Sequence, residues 1–574
     1  MDSLKYLRLA SHYPELRAGD FPANVKISII TNFTDDILKK IFLGVMLYDN
    51  IYPNIYAAPY RQYQLQLKNP SSELYARNSD ITFIFFDLNP FKNSDLRSSK
   101  DYFEELISDI RHYVETVKGT IIWNSFILSY QTAHGNLFRQ SPFFALIEEY
   151  NKRLDELAAE IPNLIIFDTN RLVHLLGETH TFDTRGTHAF DTPFTNDFTV
   201  VLAAEWTAYV RALIGKIKKC IVVDLDNTLW GGVVGELGPL GIALGPDYPG
   251  NAFVAFQQAL LDYYNRGIIL AINSKNNPED VVEVFKKNPN MILKEKHFSA
   301  IRTNWNDKAE NLADISRELN IGPESMVFLD DDPLNRSMVK GRFPDVAVPE
   351  FSIPPEDYVK TLYALDVFHQ FSLTEEDAKK GKMYVQERQR KQIMSGTKSL
   401  DEYIKELNLV MRVSVNDELI IPRLAQLTQK TNQFNLTTKR YAEHDTKKFI
   451  DDGGFIFAAN ISDKFGDYGT VIEAIITKDA SSDDDAILDT FLMSCRVMGR
   501  GVECAFIDHV VHELGRKGFA RLHGKFMPTT KNKPAESFLG DHGFVKRQND
   551  YLLDIKAYLK NPCSKLNKTI TISI

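Results

Sequence analysis

The chain has 574 residues, more than one hydrophobic core usually serves, and at about 100 to 200 residues per domain it holds material for three or four. Apolar residues at 44% and charged residues at 25% describe an ordinary globular protein, and a formal net charge of −9 gives no basic footprint for nucleic acid. No apolar run reaches the roughly 20 residues of a membrane span; the densest, ITFIFFDL at 81–88, has the length of a buried strand. The start, MDSLKYLRLASHYPE, lacks the uninterrupted apolar segment of an export signal. Cys220, Cys495, Cys504 and Cys563 are too scattered for a disulfide framework or a C-x-x-C metal signature. The expectation is a cytoplasmic protein that binds neither nucleic acid nor membrane.

In chain order, residues 1–215 read as α/β. KISIITNFT is a strand opening into the helix DDILKKIFLGVML, and the strands ITFIFFDL and TIIWNSFIL follow. Between them, Phe103, Leu106, Ile107, Ile110 and Val114 make one face of a helix. Residues 216–371 repeat the pattern with the strands KKCIVVDLD, IILAINSK and SMVFLDDDP and the helices AFVAFQQALLDYYNRG and DKAENLADISRELNI. Residues 372–396 are highly charged, with Thr374 and Asp377 spaced as a capping box, and predict an exposed linker helix. Residues 397–574 mix strands with the helix ECAFIDHVVHELGRKG and read as α+β.

Two acids at the tip of a buried strand, Asp224 and Asp226, are the first sign of chemistry. Ligands of an open α/β sheet bind at the carboxyl ends of its strands, and three further polar positions reach that edge. Ser274 ends a strand, Lys308 opens a helix, and Asp330 and Asp331 end another strand. Asp224, Asp226, Asp330 and Asp331 are candidate ligands for Mg2+, a hard cation that prefers oxygen. Asp224 would attack phosphorus, with Asp226 as acid and base, while Thr228, Ser274 and Lys308 hold the phosphoryl oxygens. These positions match the four motifs of the haloacid dehalogenase (HAD) superfamily, and an aspartate at the second acid position resembles its phosphatases. Fifty residues from Asp224 to Ser274 leave no room for a large inserted cap, so an open site is expected.

Farther on, Arg496, Gly499, Arg500 and Gly501 lie in an R-x-x-G-x-G run between a strand and a helix. It resembles the pyrophosphate loop of GNAT acyltransferases, although a glycine-rich connector would read the same way. Cys495, just before it, is either a nucleophile or a buried strand cysteine. Cys220 and Cys504 read as core. The amide-rich run holding Asn432, Gln433, Asn435 and Arg440 suits either a solvated loop or the binding of a polar acyl group.

Together, DLDNTLWGGVVGE, KTNQFNLTTKRY, DKFGDYG and SCRVMGRGVE resemble the FkbH-like family, HAD subclass IIIC proteins of polyketide and related assembly lines, over essentially the full length. The resemblance implies an N-terminal SGNH-hydrolase-like α/β domain, a HAD core with minimal cap and a C-terminal GNAT-like domain. It implies a glyceryltransferase/phosphatase that dephosphorylates D-1,3-bisphosphoglycerate and loads the glyceryl group, as a thioester, on the phosphopantetheine arm of an acyl carrier protein. Cys495 falls where a thiol could accept the glyceryl group, and the arm could lie along Arg496, Gly499, Arg500 and Gly501. The first domain departs from the hydrolase pattern: Asn32 stands where a nucleophilic serine is expected, and His188 makes no convincing D-x-x-H with Asp183 or Asp191. A binding or docking role is therefore expected of it. The competing reading is a HAD phosphatase fused to an acyl-CoA-dependent acyltransferase; a scaffold with an incidental HAD core is disfavoured by the complete set of acids.

Overall fold

The structure is a computed structural model that describes residues 3–88, 96–128, 132–371, 385, 386, 388, 390, 400–479, 482–529, 532–548, 550–560 and 570–573. The chain forms two compact units, Met1–Lys219 with Glu324–Met326 and Asp357–Leu373, and Cys220–Pro323 with Val327–Glu356 and Thr374–Ile574.

The first unit is built on β1 (Asn24–Thr31), β2 (Tyr52–Ala57), β3 (Ile81–Phe85), β4 (Thr120–Asn124) and β5 (Leu164–Phe167). They pair in parallel in the order β2-β1-β3-β4-β5, the flavodoxin-like winding. All five residues of β3 are buried, because helices cover both faces of a parallel sheet and no side of the strand meets water. Ile27, Ile29, Phe83 and Trp206 belong to one core cluster, Ile30, Ile84, Trp123 and Phe103 to another, and Trp206 stacks on Phe83 at 4.5 Å between ring centres. At the end of β1, Asn32 is committed to structure: its amide donates to Asp87 O (2.7 Å) and accepts from Asp87 N (2.9 Å). Asp183 caps the helix Thr184–Phe190, and Asp191 accepts a hydrogen bond from Tyr60 Oη.

Sequence reading places residues 357–371 with the HAD core, whereas the structure gives Asp357–Leu373 to the first unit. Arg211 pairs with Asp366 at 2.6 Å, His369 Nε2 lies 3.4 Å from Glu205, and Phe371 packs against the core cluster around Trp206. None of these partners is near in sequence, so periodicity carries no trace of them.

The second unit holds two sheets. One is formed by β6 (Cys220–Val223), β7 (Ile269–Ser274), β8 (Phe298–Thr303) and β9 (Met326–Leu329), in the order β8-β7-β6-β9. The other comprises β10 (Val410–Val415), β11 (Phe434–Asn435), β12 (Phe455–Asp463), β13 (Gly466–Asp479), β14 (Ser482–Met493), β15 (Arg521–Gly524), β16 (Val545–Arg547), β17 (Asp550–Asp554) and β18 (Thr571–Ser573). Its order is β16-β17-β15-β14-β13-β12-β10-β18, with β11 beside β14. Neighbours β12, β13 and β14 are antiparallel, while β14 and β15 run parallel and are joined through the helix Val502–Arg516. That strand–loop–helix–strand crossover, set in an otherwise mostly antiparallel sheet, is the GNAT-like element expected of the α+β domain.

Most of the linker 372–396, including its Thr374/Asp377 capping box, lies outside the described residues. Those that are described are not exposed as expected: Val385 is buried, and Arg390, 2% exposed, grips Asp463 through two bonds of 2.6 and 2.8 Å. Cys563 also lies outside the described residues.

Candidate active site

Four fully buried residues, Cys220 to Val223, make β6 a strand that lies wholly in the sheet interior. The next residue is Asp224, 7% exposed, whose backbone amide still bonds Leu329 O of β9 at 2.9 Å. The neighbouring strand carries Asp330 to the same edge, and Lys308 enters between the two. Its Nζ lies 2.7 Å from Asp224 Oδ1 and 2.8 Å from Asp330 Oδ2, and the ammonium is 2% exposed. Carboxylate oxygens of Asp224, Asp330 and Asp331 come within 4.8 Å of one another.

Several amides fix where the lysine stands. Asp307 caps the helix Lys308–Leu319 by accepting from the amides of Ala309 (2.7 Å) and Glu310 (3.2 Å). Asn273 of β7 donates to Lys308 O at 2.8 Å, and Asn311 donates to both Asn273 and Asn304. Arg336, unassigned in the sequence and 6% exposed, sends one nitrogen to Asp330 O and Asp331 O, each at 2.8 Å. Because Asn273, Lys308, Asn311, Asp330 and Arg336 are buried, this web is the alternative to costly unsatisfied groups.

The electrostatics follow from burial and crowding. Burial pushes the Asp330 carboxyl above its ordinary range, with Asp224 adding to the rise. Asp331 is pushed up to about 6 by burial and then by Asp224 and Asp330. Burial works to lower Lys308, yet Asp224 and Asp330 together hold its ammonium above the usual lysine range. Two carboxylates share one ammonium and a third lies beside them, so the site has an excess of negative charge and a set of hard oxygen donors, both of which suit a divalent cation.

Other expected residues are placed as follows. Ser274, 1% exposed, ends β7, and its hydroxyl accepts a bond of 3.1 Å from Asn276. Asp226 is not in the carboxylate cluster that Asp224, Asp330 and Asp331 form, which corrects its expected role as a carboxylate ligand. Its Oδ1 accepts from Trp230 Nε1 (2.9 Å) and Val234 N (3.2 Å), and its Oδ2 from Asn276 Nδ2 (3.1 Å). The carboxylate is thereby drawn toward the turn that follows it. The Thr228 hydroxyl, expected on phosphate, instead exchanges 3.2 Å bonds with the Asp331 carboxylate and amide.

That turn explains the Trp-Gly-Gly sequence. A Cβ on Gly231 would stand 2.7 Å from the Phe253 ring and 3.0 Å from Ala243 Cβ, and Gly232 has φ of +89°. The glycines let the chain fold tightly back so that Trp230 and Val234 both donate to Asp226. The D-x-x-x-W spacing was the readable signal for Trp230.

In the C-terminal domain, Cys495 is exposed and stands past the end of β14 on the short turn Cys495–Val497, which excludes the buried-strand alternative. Gly499 and Gly501 have φ of +75° and +69°, and Arg500 Nη1 bonds Arg496 O, closing the loop just before the helix Val502–Arg516. Cys504 is half-buried rather than core, and burial pushes its thiol up to about 12. The amide run is mostly structural. Asn435 is fully buried and holds its own loop, accepting from Thr437 N and Thr438 N, and Asn432 accepts from Arg440. Asn435 is therefore withdrawn as an acyl-binding group, while Asn432 is half-buried and Gln433 exposed.

With this geometry in hand, residues 26–210 match the family model described as FkbH, N-terminal domain. That stretch is similar to the FkbH N-terminal domain. A solved structure, the N-terminal part of BF1531 from Bacteroides fragilis containing a phosphatase domain complexed with Mg, shares 29% identity with this chain. The match has a TM-score of 0.59 and covers 65% of this chain and 100% of that one. A GNAT-family acetyltransferase from Streptococcus pneumoniae matches at 14% identity and TM-score 0.21, over 25% of this chain and 96% of its own. The ribosomal-protein-S18-alanine N-acetyltransferase from Escherichia coli matches at 17% and 0.20, over 25% and 94%. The last two overlaps are too slight to add to the strand order itself. No curated protein sequence matches the chain. Among the described residues, no helix is long and apolar enough to cross a membrane.

Proposed function

We propose that this FkbH-like chain is a cytoplasmic, magnesium-dependent glyceryltransferase/phosphatase that dephosphorylates D-1,3-bisphosphoglycerate and loads the glyceryl group, as a thioester, on an acyl carrier protein. The observation that carries the reading is the buried Lys308 ammonium held between Asp224 and Asp330 with Asp331 beside them. Asp224, Asp330 and Asp331 would hold Mg2+, which supplies positive charge against the phosphoryl oxygens. Asp224 attacks phosphorus, an aspartyl-phosphate bond forms, and the bond to the leaving oxygen breaks as that oxygen takes a proton from Asp226. Asp226 then takes a proton from water, whose oxygen attacks the phosphoenzyme, releasing inorganic phosphate and restoring Asp224. Lys308 and Ser274 face the charge that gathers on the transferring group.

The second half of the reaction falls to Cys495. Its sulfur attacks the acyl carbon of the acyl phosphate, the acyl–oxygen bond breaks, phosphate departs, and the thiol proton goes to solvent. The phosphopantetheine thiol of the carrier then displaces Cys495 by thioester exchange, with its arm along Arg496, Gly499, Arg500 and Gly501. Exposure of Cys495 supports this order, since a carrier-borne thiol must reach the sulfur. The glycine-rich loop before a helix N-terminus supports the competing acyl-CoA-dependent transferase as well, because it suits the pyrophosphate of coenzyme A as it suits the phosphodiester of a carrier's arm.

Incubation of the full chain with Mg2+, 1,3-bisphosphoglycerate and a holo carrier protein, followed by intact mass measurement, tests the proposal. A carrier heavier by one glyceryl group, with two phosphates released per adduct, is expected. Phosphate release without a carrier adduct would leave the phosphatase and remove the transfer; acyl transfer from acyl-CoA would favour the competing reading.

A further inference from the structure

Asp226 and Ser274 sit on different strand ends, and the two are joined by one side chain. Asn276 Nδ2 lies 3.1 Å from Asp226 Oδ2 and 3.1 Å from Ser274 Oγ, and the residue is 4% exposed. A primary amide has two N–H donors at a fixed angle, so one group can satisfy both acceptors and set the distance between them. Ser274 belongs to the phosphoryl-binding side of the site in the proposed reaction and Asp226 to the leaving-group side. Asn276 therefore ties the two sides of the proposed site together.

Trp230 completes the clamp from the opposite side. Its indole N–H lies 2.9 Å from Asp226 Oδ1, the ring is fully buried, and Val234 N adds a second donor to the same oxygen. Asp226 thus has donors on both oxygens, from β7's end on one side and from the glycine turn on the other. A carboxyl group so held cannot swing back to the carboxylate cluster of Asp224, Asp330 and Asp331, which is where the attraction of a bound cation would take it.

We infer that Asn276 and Trp230 are positioning residues that hold Asp226 on the leaving-group side, and that they set how well the enzyme cleaves phosphate esters whose leaving oxygen needs a proton. The inference rests on the proposed phosphatase reading. A proton delivered by a positioned group matters most for an alkoxide leaving group and little for one that departs stably as an anion. Misplacing the donor should therefore change the leaving-group preference, whereas a merely structural defect should slow all substrates alike.

The test compares two probes, phenyl phosphate and 2,4-dinitrophenyl phosphate, on the full chain with Mg2+. Asn276→Leu keeps the shape and removes the N–H donors without adding charge; Trp230→Phe keeps an aromatic ring and removes the indole N–H. Each should lower kcat on phenyl phosphate by about 100-fold, the scale of a displaced general acid, and on 2,4-dinitrophenyl phosphate by less than about 5-fold. Should one variant fail to fold, as judged by its urea midpoint, the other carries the test. Equal losses on both probes would overturn the inference. A wild-type chain inactive on both would instead overturn the phosphatase reading, so the two failures are distinct.

Discussion

The acid edge of β6 and the thiol loop after β14 meet opposite physical demands. Asp224, Lys308 and Asp330 are nearly or wholly removed from water, and the ammonium of Lys308 ties the two carboxylates together. Cys495 is exposed on a turn of three residues, and the glycines after it take positive φ. Phosphoryl transfer calls for fixed charges in a dry site, while transfer to a carrier calls for a sulfur that another molecule can reach. The contrast is one of pre-organisation against access, and it sorts the consequences of mutation.

The largest expected effect is chemical. Asp224→Asn should lower phosphate release by at least about 1,000-fold, since the nucleophile is lost, and normal release would overturn its role. Lys308→Met should be both inactive and destabilised, by about 3–5 kcal/mol, because it leaves crowded carboxylates buried without their cation. Urea unfolding measures this, and added Mg2+ should recover part of the loss by binding the folded state. An unchanged urea midpoint would mean that the carboxylates are not charged together.

A second buried acid sharpens the comparison. Glu473 of β13 is fully buried, both its carboxylate oxygens lack a hydrogen-bond partner, and burial pushes it up to about 8 despite the opposing pull of Arg423. Its folded value exceeds its unfolded value, so the folded state binds the extra proton and stability falls as pH rises from about 4.5 to about 8. The cost is fully present above that window and is on the order of 4 kcal/mol, with relaxation of the site reducing it. Glu473→Gln should flatten the profile and be the more stable protein at pH 9; a profile identical to wild type would show that Glu473 does not titrate there.

The smallest effect belongs to the thiol. Cys495→Ala should abolish any enzyme-bound thioester yet shift stability by no more than about 0.5 kcal/mol, as expected at an exposed position. Its phosphate release from 2,4-dinitrophenyl phosphate should match wild type. A large drop there would mean that the two regions do not act separately.

The alternation of strands and helices and the acids at strand ends were legible in the linear chain, because both follow from local pattern. Strand ends in an α/β sheet converge whatever the connecting helices contain, so Asp224, Ser274, Lys308 and Asp330 could be assigned to one edge before any coordinates. Other positions were visible but unassigned. Asn276 and Arg336 carry no assignment from the sequence, since neither identity nor spacing says which acceptor a donor will find.

What the sequence alone determined, then, was residue chemistry and its arrival at one sheet edge: carboxylates, a hydroxyl and a lysine where hydrophobic strands stop. Direction was decided only by the tertiary structure. Trp230, Val234 and Asn276 turn Asp226 away from the carboxylate cluster, Asn435 spends its amide on its own loop, and Asp357–Leu373 returns to the first unit. The physical reason is common to all three. A buried polar group must satisfy its hydrogen bonds with whatever the fold brings beside it, and those partners are set by packing rather than by proximity along the chain.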